Sequence, residues 1–558
     1  MKKISSITRG LKRKIVLFSA LGLLLLSSAF TSNYFEISKN LEIFTMLYRE
    51  LNMYYVDDTQ PGQLMKTGID AMLKSLDPYT VYFPESRIED YRFMTTGQYG
   101  GIGALIQEID GKTVITEPYE GFAAAKAGLK AGDIILEIDG ESVSDKSQED
   151  VSEILKGQSG TEVKLLINRP GGTDNQTFTF TREEVKIPDV PYYGMVNDST
   201  GYIKLTGFTQ TASAEVRNAY KDLEAKNNMN GLILDLRGNG GGLLREAVNI
   251  VNFFIPKGQE IVSTRGKLEE WNKTHVALNP PIAPDIPLVV LIDDHSASAS
   301  EIVSGALQDL DRAVIIGTQS FGKGLVQQTK DIAYNTKLKL TVAKYYIPSG
   351  RCIQRLDYSH RNKEGGVEIV ADSLIQSFTT AGGRPVFDGR GITPDYDVEI
   401  DLASHILAGL VIDHVVFNYV TQFTLAHDQI AAADEYHMSD ADYDDFVQFA
   451  LQQEFEYTTE TDAIFKELSK VAEAESYHQG AESEFDQLYE KIRPTKEKDL
   501  IKFKDQIREY IENDIVARYY YQTGRVENSL TNDLYIVAAN DVFAHHYTSI
   551  LSGQFNQD

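Results

Sequence analysis

From Tyr34 to about Met94, apolar residues recur every three or four positions in LEIFTMLYRELNMYYV and LMKTGIDAMLKSL. That spacing predicts two or more amphipathic helices, closed at the breaker Asp77-Pro78. From Gln98 to about Arg182 the texture changes to short β-rich pieces (GIGALIQEI, KTVITEP, DIILEIDG, VKLLINR, QTFTFTR), with helical inserts at 122–127 and 148–155. This reads as a small β-rich domain with two helices. From Ile187 to about Ile400, nearly continuous apolar runs (GLILDL, PLVVLID, RAVIIG) alternate with the helical stretches LREAVNIVNFFI and SEIVSGALQDL. Strands without polar alternation are covered on both faces, so a largely parallel sheet with crossover helices is expected here. Helical periodicity then continues from Asp401 to the end.

Composition narrows what such a chain does. At 558 residues it is long enough for several cores, and its formal charge of -27 (54 Lys+Arg against 81 Asp+Glu) repels a phosphate backbone, so nucleic acid is not an expected partner. The segment from Asp401 alone carries 30 acids and 11 bases. Seven of the ten histidines also lie there, but no HExxH or similar spacing organises them as metal ligands. Cys352, the one cysteine, can form no intrachain disulfide and no cysteine zinc site. No metal or other cofactor is expected.

Charge patterning at the N-terminus points to export. Lys2, Lys3, Arg9, Lys12, Arg13 and Lys14 precede the apolar run Ile15 to Phe30, and the first acid is Glu36. The run of 16 residues is shorter than the ~20 that span a bilayer, which favours a cleaved signal with Ala29 at its end. Leu23 to Leu26 would also suit an uncleaved membrane anchor.

The chemistry is sought in the strand-and-helix region. In PLVVLIDDHSASASEIVSGALQD a buried strand ends at Ile292 and a helix begins near Ala299. Ser298 with Glu301 fits a capping box, and that alone explains the serine structurally. The same geometry exposes a hydroxyl beside unpaired helix N-terminal N–H groups, where the Ala299 N–H can hold an oxyanion. Another strand runs into Gly238-Asn239-Gly240-Gly241-Gly242, whose glycines let backbone N–H groups approach a ligand, with Gly241 the first choice as second donor. A dinucleotide fingerprint fails there, because Leu243 stands where the last glycine is needed. For a base, His295 is awkwardly close to Ser298 in sequence and His275 has no clear partner. Lys323 in SFGKGLVQQ is the better candidate, provided its pKa falls from ~10.4 to about 7, which apolar burial can bring about. Gln327, four residues on, enters the next strand where its amide oxygen can orient the amine.

Taken together these segments resemble the C-terminal processing peptidases, or tail-specific proteases, which are Ser-Lys serine endopeptidases. The resemblance covers roughly Tyr54 to Ile400 and rests on LDPYT, YGGIGALI, AAKAGLKAGDIILEIDG, DLRGNGGG, SASASE, FGKGLVQ, YYIPSGRCIQ and GRGITPD in that order. It implies Ser298 as nucleophile and Lys323, 25 residues later, as base, with Gln327 assisting and Ala299 and a glycine such as Gly241 as oxyanion donors. Cys352 departs from the pattern, standing where serine is usual, and a packing change is expected. The β-rich domain looks like a PDZ domain, in which Gly100, Gly101, Ile102 and Gly103 would receive a terminal carboxylate while a strand edge adds the peptide. By the same analogy Arg169 would couple PDZ position to the active site.

The expected architecture is therefore a multidomain α+β and α/β chain. Its parts are a signal or anchor (1–29), N-terminal helices (33–95), a PDZ domain (96–183), a crotonase-like α/β protease core (184–400) and an acidic helical extension (401–558). The expected activity is hydrolysis of peptide bonds, in the periplasm or on the outer side of the cytoplasmic membrane. Partners would be protein or peptide tails with accessible C-termini, with an adaptor protein, a membrane anchor and self-association left open. The rival reading is an inactive PDZ scaffold on the same fold, which would have no need of Ser298, Lys323 and Gln327 together.

Overall fold

The computed structural model describes residues 34–226, 228–362, 365–399, 403–555 and 557. The expected export segment lies outside the described residues. Two compact units divide the chain at Tyr82 and Phe83. The first holds a helix over 34–54 and the helix Pro61–Lys74, which begins on a proline at its first position. Tyr48 Oη donates to the carbonyl of Pro61 (2.7 Å), and the breaker is built by Asp77, whose carboxylate accepts from the N–H groups of Tyr79 and Thr80.

The second unit, from Phe83 onward, carries the β-rich domain, the large sheet and the helical tail. The β-rich domain is antiparallel, with Ala104–Ile109, Lys112–Pro118, Ile134–Ile138, Glu162–Asn168 and Gln176–Thr181 neighbouring in that order. Its helices are Ala123–Lys126 and Gln148–Leu155, the second opened by a capping box between Ser147 and Asp150. Alternate residues Val163, Leu165 and Ile167 are fully buried, the period of two that a one-sided sheet demands.

In the large sheet the strands run Tyr192–Met195, Thr200–Lys204, Gly231–Asp235, Leu288–Ile292, Val314–Gly317 and Tyr396–Asp397. All neighbours are parallel except the first pair. Every residue of Gly231–Asp235, Leu288–Ile292 and Val314–Gly317 is buried, as their apolar runs require, Asp235 being the one charged member. The helices Ala212–Lys226, Leu244–Asn252 and Ala299–Asp309 contribute Val216, Val251 and Val303 to the cluster on one face.

The opposite face is closed from far along the chain. Tyr202, Ile233, Val289, Leu291, Val314 and Ile316 pack against Tyr535, Ile536, Ala539, Val542 and Ile550 at the end of the tail. Earlier tail helices, His405–Ile412 through the first half of Lys504–Ser529, form their own cluster around Val416, Phe446, Ile511 and Ile515. A second, antiparallel sheet brings together Lys273–Val276, Glu260–Gly266, Lys337–Tyr346 and Leu325–Asp331. It forms a wall that the sequence patterning alone does not reveal.

Candidate active site

Ser298 stands at the N-terminus of Ala299–Asp309 with φ +55 and ψ −108, a conformation that a non-glycine residue adopts only when its surroundings impose it. The surroundings are visible. Glu301, fully buried, accepts through Oε2 from the N–H of Ser298 (2.8 Å) and the N–H of Lys323 (2.9 Å). Its Oε1 takes the Gly322 N–H (2.7 Å) and the Ser320 hydroxyl (2.6 Å). Burial pushes the Glu301 carboxyl above its ordinary range, and the Ser320 hydroxyl with the N–H groups of Lys323, Ser298 and Gly322 offset part of that. Tyr345, also buried, donates from Oη to the Ser298 carbonyl (3.2 Å).

The glycine loop is fastened to the same turn by Asn239. Its carbonyl accepts from the Ala297 N–H (3.0 Å) and the Ser300 hydroxyl (2.8 Å), while its side-chain amide donates to the Leu205 carbonyl. Gly241, at φ +98, lies so near that an added Cβ would stand 2.9 Å from both Ser298 Cβ and the Ala299 nitrogen. Its N–H points to Asn239 Oδ1 (2.9 Å). At the end of the strand that leads into this loop, Asp235 is fully buried among Tyr202, Lys204 and Arg237, and Arg237 reaches on to Asp533 at 2.7 Å and lies over the Tyr535 ring. Burial drives the Asp235 carboxyl up, but Arg237 and Lys204, with the Tyr202 hydroxyl, more than reverse this and hold it well below the usual carboxylate range.

Ser298, Ala299, Gly241, Lys323 and Gln327 all line one cavity of about 740 Å³. Gln327 directs its amide NH₂ to Thr341 Oγ1 across the antiparallel wall (3.2 Å). His275 also lines the cavity, with its pKa lowered by burial and by Lys273, whereas His295 is exposed and pairs with Asp294 (2.6 Å). Cys352 is half-buried, its thiol pushed up by burial, and it does not line the cavity. Among the described residues Asp293, Asp294 and His295 form a group with metal-ligand spacing. Asp293 there already accepts from the Gly238 and Ser296 N–H groups and the Ser296 hydroxyl, so it braces the loop.

In the β-rich domain Gly100 and Gly101 belong to the strand Gln98–Gly101, paired with Glu183–Lys186. Gly100 has no room for a side chain, since a Cβ would lie 2.0 Å from the Gly157 carbonyl oxygen, and Gly103 turns the chain at φ +74. Ile102 and Tyr99 line a cavity of about 250 Å³ with Phe93, Ala104, Tyr119 and Leu155. Arg169 is held by both oxygens of Asp133 (2.7 Å each) and by the Gly128 carbonyl, and it faces a cavity bounded by tail residues such as Arg518 and Tyr519, not the cavity of Ser298. Sequence reasoning missed Glu301 as anything beyond a cap, and missed Asn239 and Tyr345 altogether. Only the short spacing from Ser298 to Glu301 signalled any of these contacts.

Comparison with known proteins follows the same division. Residues 199–359 match peptidase family S41, 114–169 match a PDZ domain, and 406–543 match the probable PDZ-protease, C-terminal helical domain. The carboxy-terminal-processing protease of Bartonella bacilliformis is 37% identical over 373 residues, which cover 65% of this chain and 83% of that protein. The chain belongs to the S41 peptidases. It is thus a hydrolase of the carboxy-terminal processing type with a PDZ domain and a helical C-terminal domain. The carboxy-terminal processing protease CtpA of Bacillus subtilis is 34% identical over 309 residues, 55% of this S41 peptidase and 65% of CtpA. Among solved structures, a photosystem II D1 C-terminal processing protease aligns at 27% identity and TM-score 0.34, over 64% of this chain and 92% of that one.

Proposed function

We propose that this S41 peptidase is an exported serine endopeptidase in which Ser298 attacks the scissile carbonyl and Lys323 is the general base. The observation that carries this reading is the shared carboxylate oxygen of Glu301, which fixes the backbone of Ser298 and of Lys323 beside one cavity. Neutral Lys323 takes the hydroxyl proton and returns it to the leaving amine. With its NH₂ donating to Thr341, Gln327 would accept from the amine through its amide oxygen and so orient it. The Ala299 N–H holds the oxyanion at the helix N-terminus. Gly241 joins it by turning its N–H from Asn239 Oδ1 to the developing charge. Substrate tails are captured by their C-termini at the PDZ cavity beside Tyr99 and Ile102, with Gly100, Gly101 and Gly103 giving the backbone close approach. The basic and apolar N-terminal sequence directs the chain out of the cytoplasm.

Purified Ser298→Ala and Lys323→Ala proteins, checked for fold by circular dichroism, test this assignment on a fluorogenic peptide with a free apolar C-terminus. Cleavage is expected to vanish in both. Cleavage retained by folded Ser298→Ala removes the nucleophile from the proposal.

A further inference from the structure

The cavity of Ser298 has the opposite sign to the protein that contains it. The chain carries a formal -27, yet Arg245, Lys273 and Lys339 line this cavity beside the proposed base Lys323 and, among the described residues, no aspartate or glutamate does. Two acids behind its wall point elsewhere. Glu301 is fully buried behind it, bound to backbone N–H groups, and Glu246, 2% exposed, accepts from the Ser213 hydroxyl and pairs with Arg245.

The cations differ in what surrounds them. Lys273 lies over the Trp271 ring at 5.7 Å, and Lys337, on the same face as Lys339, pairs with Asp331. Lys339 is half-buried and, among the described residues, no ion pair joins it. Burial lowers its pKa with no acid opposing the effect. A half-buried ammonium without a counter-ion costs free energy that an incoming carboxylate would recover.

Strand register fixes where that carboxylate would sit. Gln327 pairs with Thr341 and Thr329 with Lys339, so Lys339 lies on the Gln327–Thr341 face, one side-chain repeat further along. Two residues of strand span about 7 Å, and an extended substrate lying along the wall advances at the same rate. We propose that Lys339 is a specificity-determining cation, pairing with a substrate carboxylate about two to four residues from the scissile bond. This rests on the reading of Ser298 and Lys323 as the catalytic pair. The carboxylate comes either from a glutamate or aspartate side chain or from a chain end.

Three quenched-fluorescence peptides separate these sources. Two share one cleavable core and a distant apolar C-terminus, and differ by Glu or Gln at the chosen position. The third ends there in a free carboxylate. For the wild-type protein kcat/KM is expected to be about tenfold higher for Glu than for Gln, mainly through KM. Lys339→Met should remove the preference and Lys339→Glu should invert it. A third peptide cleaved as well as the Glu peptide assigns the site to chain ends as well; one cleaved only as the Gln peptide confines it to side chains. Equal wild-type rates for Glu and Gln, or a preference that survives in Lys339→Met, overturns the proposal. Should neither peptide be cleaved, the catalytic reading fails on its own, and anisotropy of the labelled Glu and Gln peptides bound to wild-type and Lys339→Met protein still decides the role of Lys339.

Discussion

The N–H of Lys323 and the N–H of Ser298 end on one atom, Oε2 of Glu301, although 25 residues separate them in sequence. A carboxylate can accept from four donors at once, and a carboxamide cannot, because one of its two heteroatoms is itself a donor. Glu301→Gln therefore orphans at least one buried N–H and shifts one loop against the other. The expected result is a loss of about 10²-fold in kcat with KM changed far less, since misplacement near 1 Å has that effect. Steady-state kinetics on a folded variant check it, and a kcat within twofold of wild type would show that the shared oxygen does not set the geometry.

The proposed base must be neutral to accept a proton. The rate is expected to rise with pH, with a limiting slope of one in log kcat/KM, as the ammonium of Lys323 loses its proton. Lys323→Arg keeps the charge but cannot titrate, so it should be inactive at every pH tested. A flat profile between pH 5 and 9 in the wild-type protein would rule out a lysine base.

Gly241 is packed against the turn of Ser298, the proposed nucleophile. A methyl group there would stand 2.7 Å from the Ala297 carbonyl oxygen, and φ +98 is itself unfavourable for alanine. Gly241→Ala is expected to lose activity steeply and to cost about 1–2 kcal/mol of stability. Denaturant melts read beside peptide cleavage measure the two effects separately.

The Asp235 network carries a pH signature. Its carboxyl titrates below the ordinary value in the folded protein, so the stability it contributes is complete above the unfolded pKa of ~3.9 and is lost only as pH falls through the folded value. Asp235→Asn, which leaves Lys204 without its carboxylate and Arg237 with Asp533 alone, should lower stability by about 3 kcal/mol at pH 7, and the difference from wild type should shrink toward strong acid. A difference independent of pH would contradict the linkage.

Much of this arrangement was legible from the chain. Continuous apolar runs marked Gly231–Asp235, Leu288–Ile292 and Val314–Gly317 as buried parallel strands, and the turn after Ile292 led to Ser298. The wall from Lys337 to Tyr346 was less legible, because LKLTVAKYY is half-exposed and its partners lie elsewhere in sequence. Glu301 escaped notice for a different reason. A capping acid is common, and nothing local to SASASE announces that its carboxylate also receives Gly322 and Lys323.

The last helices seal a face of the large sheet whose final strand, Tyr396–Asp397, was made long before them. During synthesis that sheet waits with its oily side bare until the ribosome has delivered Tyr535 through Ile550. A chain cut short before Tyr535 would thus stay a sticky intermediate, prone to clumping and quick to be degraded.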